Sequence, residues 1–518
     1  MKNKTTKLLL LALATSTYAH ADIHLPSIFG DNMVLQQGIE NPIWGWADGG
    51  EKITIRITGH DKKLDAWAGK SKRWQVKLPK LKASNQPIEI TIQGKNTITL
   101  KNVLVGEVWV CSGQSNMQWP VDASNDPDLE KLSANYPNIR FITVPRIGTQ
   151  QPQTDFEGQW EPCTPETTGQ FSAVGYFFGR QLHQTLGVPV GLIDNAWGGS
   201  AAEAWIRRDR LDQLPAAKPY MEQWKKTEAD FDEAKMKADY AAKVATWEVR
   251  AKKAREAKKS VPNKPRPPRN PLVGQHRPAN LYNGVLKPII GYGIKGAIWY
   301  QGESNSGRAK AYRDVFALMI ESWRKDWHQG DFSFYWVQLA DFRDEAPSPG
   351  DSTWAELREA QTLALKLPNT GQAVITDLGE AHDIHPKDKQ NVAKRLARWA
   401  LAKDYGYDIV HRSPQYKALQ RNGNKLVLHF EHVGGGLDTF DVRTPIGFTL
   451  AGKDQVFHPA KAKIVGKDRI EVWSEAVPNP AAARYAWADN PVCNVQNREG
   501  LPLTPFRTDE FKMVTDGN

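Results

Sequence analysis

Ser115 lies in Gly113-Gln114-Ser115-Asn116-Met117, directly after an apolar run ending at Cys111. A serine hydroxyl is almost never ionised at neutral pH, so as a nucleophile it needs a base. An imidazole serving as that base needs a carboxylate to fix its tautomer and stabilise its charged form. Asp383-Ile384-His385-Pro386 carries both groups on one short segment. Two further segments hold groups that can stabilise an oxyanion. Asn195-Ala196-Trp197-Gly198-Gly199-Ser200 has paired glycines whose amides can approach a ligand closely, and Trp299-Tyr300-Gln301-Gly302-Glu303-Ser304-Asn305 has the Gln301 amide with Glu303 beside it. Each segment alone has a plainer reading: a helix-capping serine, a tight turn, a structural amide. His382, Asp383 and His385 also invite comparison with a metal site, but no further His or Cys ligand cluster stands out, so no metal is assigned.

The elements that must position these groups are short, nearly continuous apolar runs at 103–111, 188–195, 294–300, 334–340 and 373–377. Amphipathic helices at 173–186, 312–327, 354–367 and 389–403 alternate with them. That alternation predicts a parallel sheet covered on both faces, with ligands at the carboxyl ends of its strands. All four chemical segments fall just past strand ends. Residues 22–104 instead show strand-like alternation, as in Lys52-Ile53-Thr54-Ile55-Arg56-Ile57, and 411–518 return to it. These are read as β-rich accessory regions flanking a catalytic domain over 105–410; whether the two pack as one unit is left open. Residues 218–270 interrupt the catalytic domain. There Trp224, Phe231, Ala238 and Ala245 recur every seven residues before a Pro-rich stretch, which predicts a helix or helical hairpin and linker, a surface excursion or lid.

Hydrophobic residues are 40% and charged residues 24% of the 518, normal for a globular chain too long for one core. Lys2, Lys4 and Lys7 precede an apolar run over 8–14, and Ala19-His20-Ala21 offers small residues for cleavage before Asp22. This predicts a secretory signal over 1–21, export to the periplasm or outside the cell, and no membrane insertion after cleavage. The formal charge of +10 falls to about +7 without those lysines, and 218–270, with 15 basic and 8 acidic residues, accounts for that remainder. A solvated helical segment is not a nucleic-acid-reading face, so no nucleic-acid partner is expected. Cys111, Cys163 and Cys493 make no disulfide framework, and three buried thiols are favoured over a Cys163–Cys493 bridge.

Serine first, glycines second, an amide third and Asp–His last resembles the block order of the SGNH, or GDSL-like, hydrolases. Gly106-Glu107-Val108-Trp109 leading to the Ser115 segment, 299–305 and 383–386 resemble the sialate O-acetylesterase family more narrowly. So do Phe29-Gly30-Asp31-Asn32-Met33-Val34-Leu35-Gln36, Tyr485-Ala486-Trp487-Ala488-Asp489-Asn490-Pro491 and Gly500-Leu501-Pro502-Leu503-Thr504-Pro505-Phe506-Arg507, so the likeness spans nearly the whole mature chain. It implies a three-layer α/β/α, flavodoxin-like SGNH hydrolase domain with β-rich accessory regions at both ends, no cofactor, and an acetylated sugar or glycan as substrate. Carried over, Ser115 attacks the acetyl carbonyl, His385 takes its proton and Asp383 orients His385. The oxyanion hole comprises the Ser115 N–H, Gly198 or Gly199 and Gln301, with Asn116, Trp197 and Glu303 in support. One departure stands out. The superfamily spaces acid and base as Asp-x-x-His, but Asp383 is two residues before His385 and the usual position holds His382. Glu303 and Asp377 are therefore alternative acids.

The resemblance leaves the sugar open. An acetylated plant or algal polysaccharide such as xylan, xyloglucan or pectin is an alternative to a sialoside. Among the 19 tryptophans, Trp197 and Trp299 flank the expected site. A non-catalytic carbohydrate-binding protein and a glycosidase with two opposed carboxylates are the competing classes; the second would leave Ser115 idle.

Overall fold

A computed structural model describes residues 22–517; the leader expected over 1–21 lies outside them. Six parallel strands form the centre: β1 (Thr97–Gly113), β2 (Tyr136–Thr143), β3 (Val190–Asp194), β4 (Gly296–Tyr300), β5 (Ser333–Val337) and β6 (Thr370–Ala373). Their order across the sheet is β6-β5-β4-β1-β3-β2. After β1 the chain runs out to β2, returns to lay β3 between β2 and β1, and then adds β4, β5 and β6 outward on the other side, so β1 sits at the point where strand order reverses. In such sheets a crevice opens at the strand ends there.

Four helices cover the sheet: α1 (Ala173–Leu186), α2 (Ala309–Trp327), α3 (Thr353–Leu363) and α4 (Lys389–Lys403). Their ends follow local chemistry. Ser172 caps α1 by accepting the Gly175 N–H, and Gly187 closes it at φ 70°. Asp388 caps α4 by accepting the Asn391 N–H. Side chains of the strands alternate between two cores. Val110, Ile193, Ala297, Trp299 and Phe334 pack with α2 and α3, while Trp109, Cys111, Leu192, Ile298 and Tyr335 pack with α1 and α4. Both faces of the sheet are thus covered, which is why its strands read as continuous apolar runs.

The β-rich ends are attached differently. The expected boundary at 104/105 falls inside one strand. The first half of β1 pairs antiparallel with Ser84–Gln93, and its second half is the centre of the parallel sheet. The core of the amino-terminal strands accordingly runs into the α2/α3 core. The carboxyl-terminal strands, from Gln415–Asn422 to Phe506–Arg507, enclose a separate core. They dock through Arg358 of α3, fully buried, which donates to the carbonyls of Ala488 and Asp489 at 2.7 and 2.9 Å. The two accessory regions therefore do not share a core.

The insertion forms two helices, Lys218–Asp230 and Glu233–Glu256, with 257–270 running back along the second. Tyr240 and Trp247 donate to the carbonyls of Pro265 and Pro262 at 3.3 and 2.7 Å. The seven-residue phase read from the sequence does not hold. Phe231 lies at the break between the helices, Ala238 and Ala245 are exposed, and the shielded stripe is Met236, Tyr240, Val244, Trp247 and Ala251. Cys111, Cys163 and Cys493 are free thiols. No helix among the described residues is long and apolar enough to cross a membrane.

Candidate active site

Ser115 opens a single helical turn, Ser115–Gln118, at the carboxyl end of β1. Gly113 makes that turn possible: its φ is 134°, and a Cβ there would stand 2.2 Å from the Tyr300 carbonyl oxygen. Bonds from both neighbouring strands fix the turn. The Gln114 N–H donates to Tyr300 O at 2.9 Å, and the Trp197 N–H to Gly113 O at 3.0 Å. The Gln114 side chain, buried, accepts the Gly302 and Ser304 N–H groups at 3.3 and 3.4 Å, so the turn after β4 is tied to the nucleophile turn.

His385 arrives on the loop between β6 and α4. Its Nε2 lies 2.8 Å from Ser115 Oγ, and its ring stacks on Trp119 with centroids 4.4 Å apart and planes 12° apart. Asp383 accepts the His385 backbone N–H at 2.9 Å, and the same carboxylate oxygen is 3.6 Å from His385 Nδ1. That is ion-pair distance, slightly beyond a hydrogen bond. Burial and the Lys389 charge hold the imidazole below its ordinary 6.5, and Asp383 pulls the other way. Neither alternative acid reaches the ring. Asp377 is engaged by Arg395 through both oxygens, at 2.5 and 2.6 Å, and Glu303 accepts from Asn116 Nδ2 at 2.7 Å. His382 is exposed and faces Asp344 at 3.7 Å.

The groups expected to meet an oxyanion are separated by the geometry. The Ser115 N–H and the Gly199 N–H make no hydrogen bond to another described residue. Gly198 is close: a Cβ built on it would stand 3.3 Å from Ser115 Cβ, but its N–H donates to Gln118 Oε1 at 2.7 Å. Gln301 does not fit the expected role. It is fully buried, and both of its amide hydrogens are used: Nε2 donates to Ser200 O at 3.0 Å and to Asn305 Oδ1 at 2.8 Å, while Oε1 accepts the Tyr312 hydroxyl at 3.0 Å. A carbonyl cannot donate, so the amide nitrogen must face Ser200 and cannot turn to an oxyanion. Trp299, expected beside the site, is fully buried in the α2/α3 core; Trp197 is half-buried and packs against the same core.

Sequence reasoning missed Gln114, Gln118, Trp119 and Lys389. The signal available was helical spacing: Trp119 follows Ser115 by four residues, and Lys389 follows His385 by four.

A buried α/β sheet with a serine, an imidazole and free amides at its switch point is the architecture of a hydrolase, and comparison with known proteins gives the class as carboxylic ester hydrolase. The model of the family described as carbohydrate esterase, sialic acid-specific acetylesterase, matches residues 105–248 and 276–402. The chain belongs to that family. It is 30% identical over 438 residues to the sialate O-acetylesterase of Rattus norvegicus, covering 77% of each chain. It is likewise 30% identical over 417 residues to that of Homo sapiens, covering 73% of this chain and 71% of the human one. A solved structure, a carbohydrate acetylesterase from Xanthomonas citri, superposes with a TM-score of 0.80 at 35% identity, over 95% of this chain and all of that one.

Proposed function

We propose that the protein is an exported serine O-acetylesterase acting on acetylated sugars, on a three-layer SGNH hydrolase domain that carries the site at 105–410. The observation that carries this reading is the 2.8 Å contact between Ser115 Oγ and His385 Nε2. In this mechanism Ser115 Oγ attacks the acetyl carbonyl carbon as its proton passes to Nε2. The carbonyl oxygen gains a negative charge, met by the Ser115 and Gly199 N–H groups and by Gly198 once Gln118 releases it. The sugar oxygen leaves with the proton from Nε2, and Ser115 is left acetylated. Water then attacks the acetyl carbon, gives its proton to Nε2, and acetate departs as Ser115 recovers its hydrogen. Asp383 orients the imidazole and stabilises its cation.

Acetate release measured across acetylated sialosides and acetylated xylan, xyloglucan and pectin tests the substrate. The names of the mammalian relatives favour the sialoside. Turnover of an acetylated polysaccharide, with none of the sialosides, would move the substrate to plant or algal glycans. Release of reducing sugar with no acetate would overturn the esterase reading itself.

A further inference from the structure

Beneath the nucleophile lies a charge that acetyl transfer by serine and histidine does not require. Lys389 opens α4 and is fully buried. Its Nζ donates to Asn116 Oδ1 at 2.6 Å and lies 5.3 Å from the centre of the Tyr300 ring. Asn116, itself buried, donates through Nδ2 to Glu303 Oε1 at 2.7 Å and to the Ile384 carbonyl at 2.9 Å. Glu303 Oε2 is buried and has no partner among the described residues. The ammonium and the carboxylate are thus joined through the side chain of the residue that follows Ser115. That same side chain also grips the residue preceding His385. Packing alone does not call for this arrangement, because a methionine would fill the space of Lys389 without desolvating a charge.

We propose that Lys389 is a positioning residue for the Ser115–His385 pair, acting through Asn116 on the loop that carries the imidazole and through its charge on the imidazole itself. The inference rests on the serine–histidine reading above. Besides the Ser115–His385 contact itself, Asn116 is the side chain that ties the nucleophile turn to the His385 loop by a hydrogen bond among the described residues, and its oxygen is oriented by Lys389. With that donor gone, the amide can rotate and release Ile384 O. The charged groups acting on Lys389 are Glu303 from the turn after β4, Glu380 and Asp383 from the His385 loop, and Asp388 at the cap of α4. Burial pulls the ammonium down to about 7 against these carboxylates, and burial pushes the Glu303 carboxyl up against Asn116 and Lys389. On His385 the Lys389 charge opposes protonation and Asp383 favours it.

The test is kcat and KM for 4-nitrophenyl acetate from about pH 5 to 9, on the full chain and four variants: Lys389→Met, Lys389→Arg, Lys389→Met/Glu303→Gln and Ser115→Ala. Lys389→Met should lower kcat about 10²-fold, the scale of a slight misplacement of reacting groups, with KM little changed. Its acid limb should move to higher pH, because the cation that opposed protonation of His385 is gone. Lys389→Arg should keep the limb in place and recover part of kcat. An acid limb that does not move in Lys389→Met overturns the proposal. If that variant fails to fold with Glu303 stranded, the neutral double variant carries the same readout and the same refuting result. Ser115→Ala keeps the two readings apart: activity retained there would sink the serine mechanism, whereas an inactive Ser115→Ala with an unmoved limb would sink the positioning role alone.

Discussion

Gln301 separates a structural amide from a catalytic one. Replacing it with methionine keeps its volume but removes two donors and an acceptor. The Tyr312 hydroxyl and the Ser200 carbonyl then lose their Gln301 partner inside the core, and Asn305 Oδ1 keeps the Ala202 N–H. Each unpaired buried group costs about 1–3 kcal/mol. The two together should cost roughly 2–5 kcal/mol, because such losses do not add fully between neighbours. For a domain of about 300 residues, with about 2.1 cal/mol/K of unfolding entropy per residue, that is a fall in melting temperature of about 3–8 °C. Activity tells the other half. An oxyanion donor is worth about 10²- to 10³-fold in kcat, whereas a buried tie should change kcat by less than about tenfold well below the new midpoint. Thermal unfolding followed by near-UV circular dichroism, with acetate release at about 20 °C below the midpoint, measures both. An unchanged midpoint with kcat down about 10²-fold would refute the reasoning and return Gln301 to the oxyanion hole.

Ser115→Ala and His385→Ala should each lower acetate release at least about 10⁴-fold; near-normal turnover in either contradicts the mechanism. Asp383→Asn should lose more activity than Glu303→Gln, since Asp383 is the carboxylate within ion-pair distance of the His385 ring; the reverse order would reassign the acid. Because His385 is held below 6.5, its neutral, proton-accepting form persists to lower pH, and the acid limb of kcat/KM should lie below pH 6.5. For the same reason its contribution to stability is complete above 6.5 and is lost as pH falls through the depressed value; a limb centred above 7 would contradict the shift. Arg484→Met should destabilise the carboxyl-terminal region by about 3 kcal/mol, because buried Asp509 loses a two-bond partner and keeps Arg507 and the Phe511 N–H. Urea unfolding with unchanged kcat checks it, and an unchanged midpoint would contradict it.

Where the sequence carries its own end signals, the elements were legible. Helices 173–186 and 389–403 are found at those bounds because Ser172, Gly187 and Asp388 mark their ends in any context. The four chemical segments were found because buried parallel strands are continuous apolar runs and their ends are abrupt. Strand β2 was missed: Pro137 and Arg140 break its apolar pattern, and its place beside β3 depends on a partner remote in sequence. The strand expected at 373–377 is found at 370–373, because Gly371 and Gln372 look like a loop and are buried only by their neighbours in the sheet. Gln301 was misread for a related reason. A side-chain amide near a strand end looks the same whether its hydrogens point at solvent or at Ser200, and only the fold decides. Lys389 looked like any charged residue in a helical first turn until the burial of its surroundings was known.

The two halves of the site are held by different physics. Ser115 is placed by main-chain bonds to both adjacent strands, so its position follows from sheet register and moves only if β1, β3 or β4 move. His385 has no sheet bond. Its loop is held by the Asn116 bond to Ile384, the Trp119 stack, the Lys387 N–H to Glu380 Oε1 at 2.8 Å and the Arg343 N–H to Ala381 O at 2.8 Å. Bonds of this kind can each be lost without unfolding the sheet, and loops held by few of them open at lower free-energy cost than the core. Changes around 341–343 and 380–387 should therefore reach activity through the base, with the nucleophile left in place. Asn116 is the exception, since it belongs to the rigid half by its backbone and to the loop by its side chain. The single residue after the nucleophile is thus where sheet geometry is passed on to the imidazole.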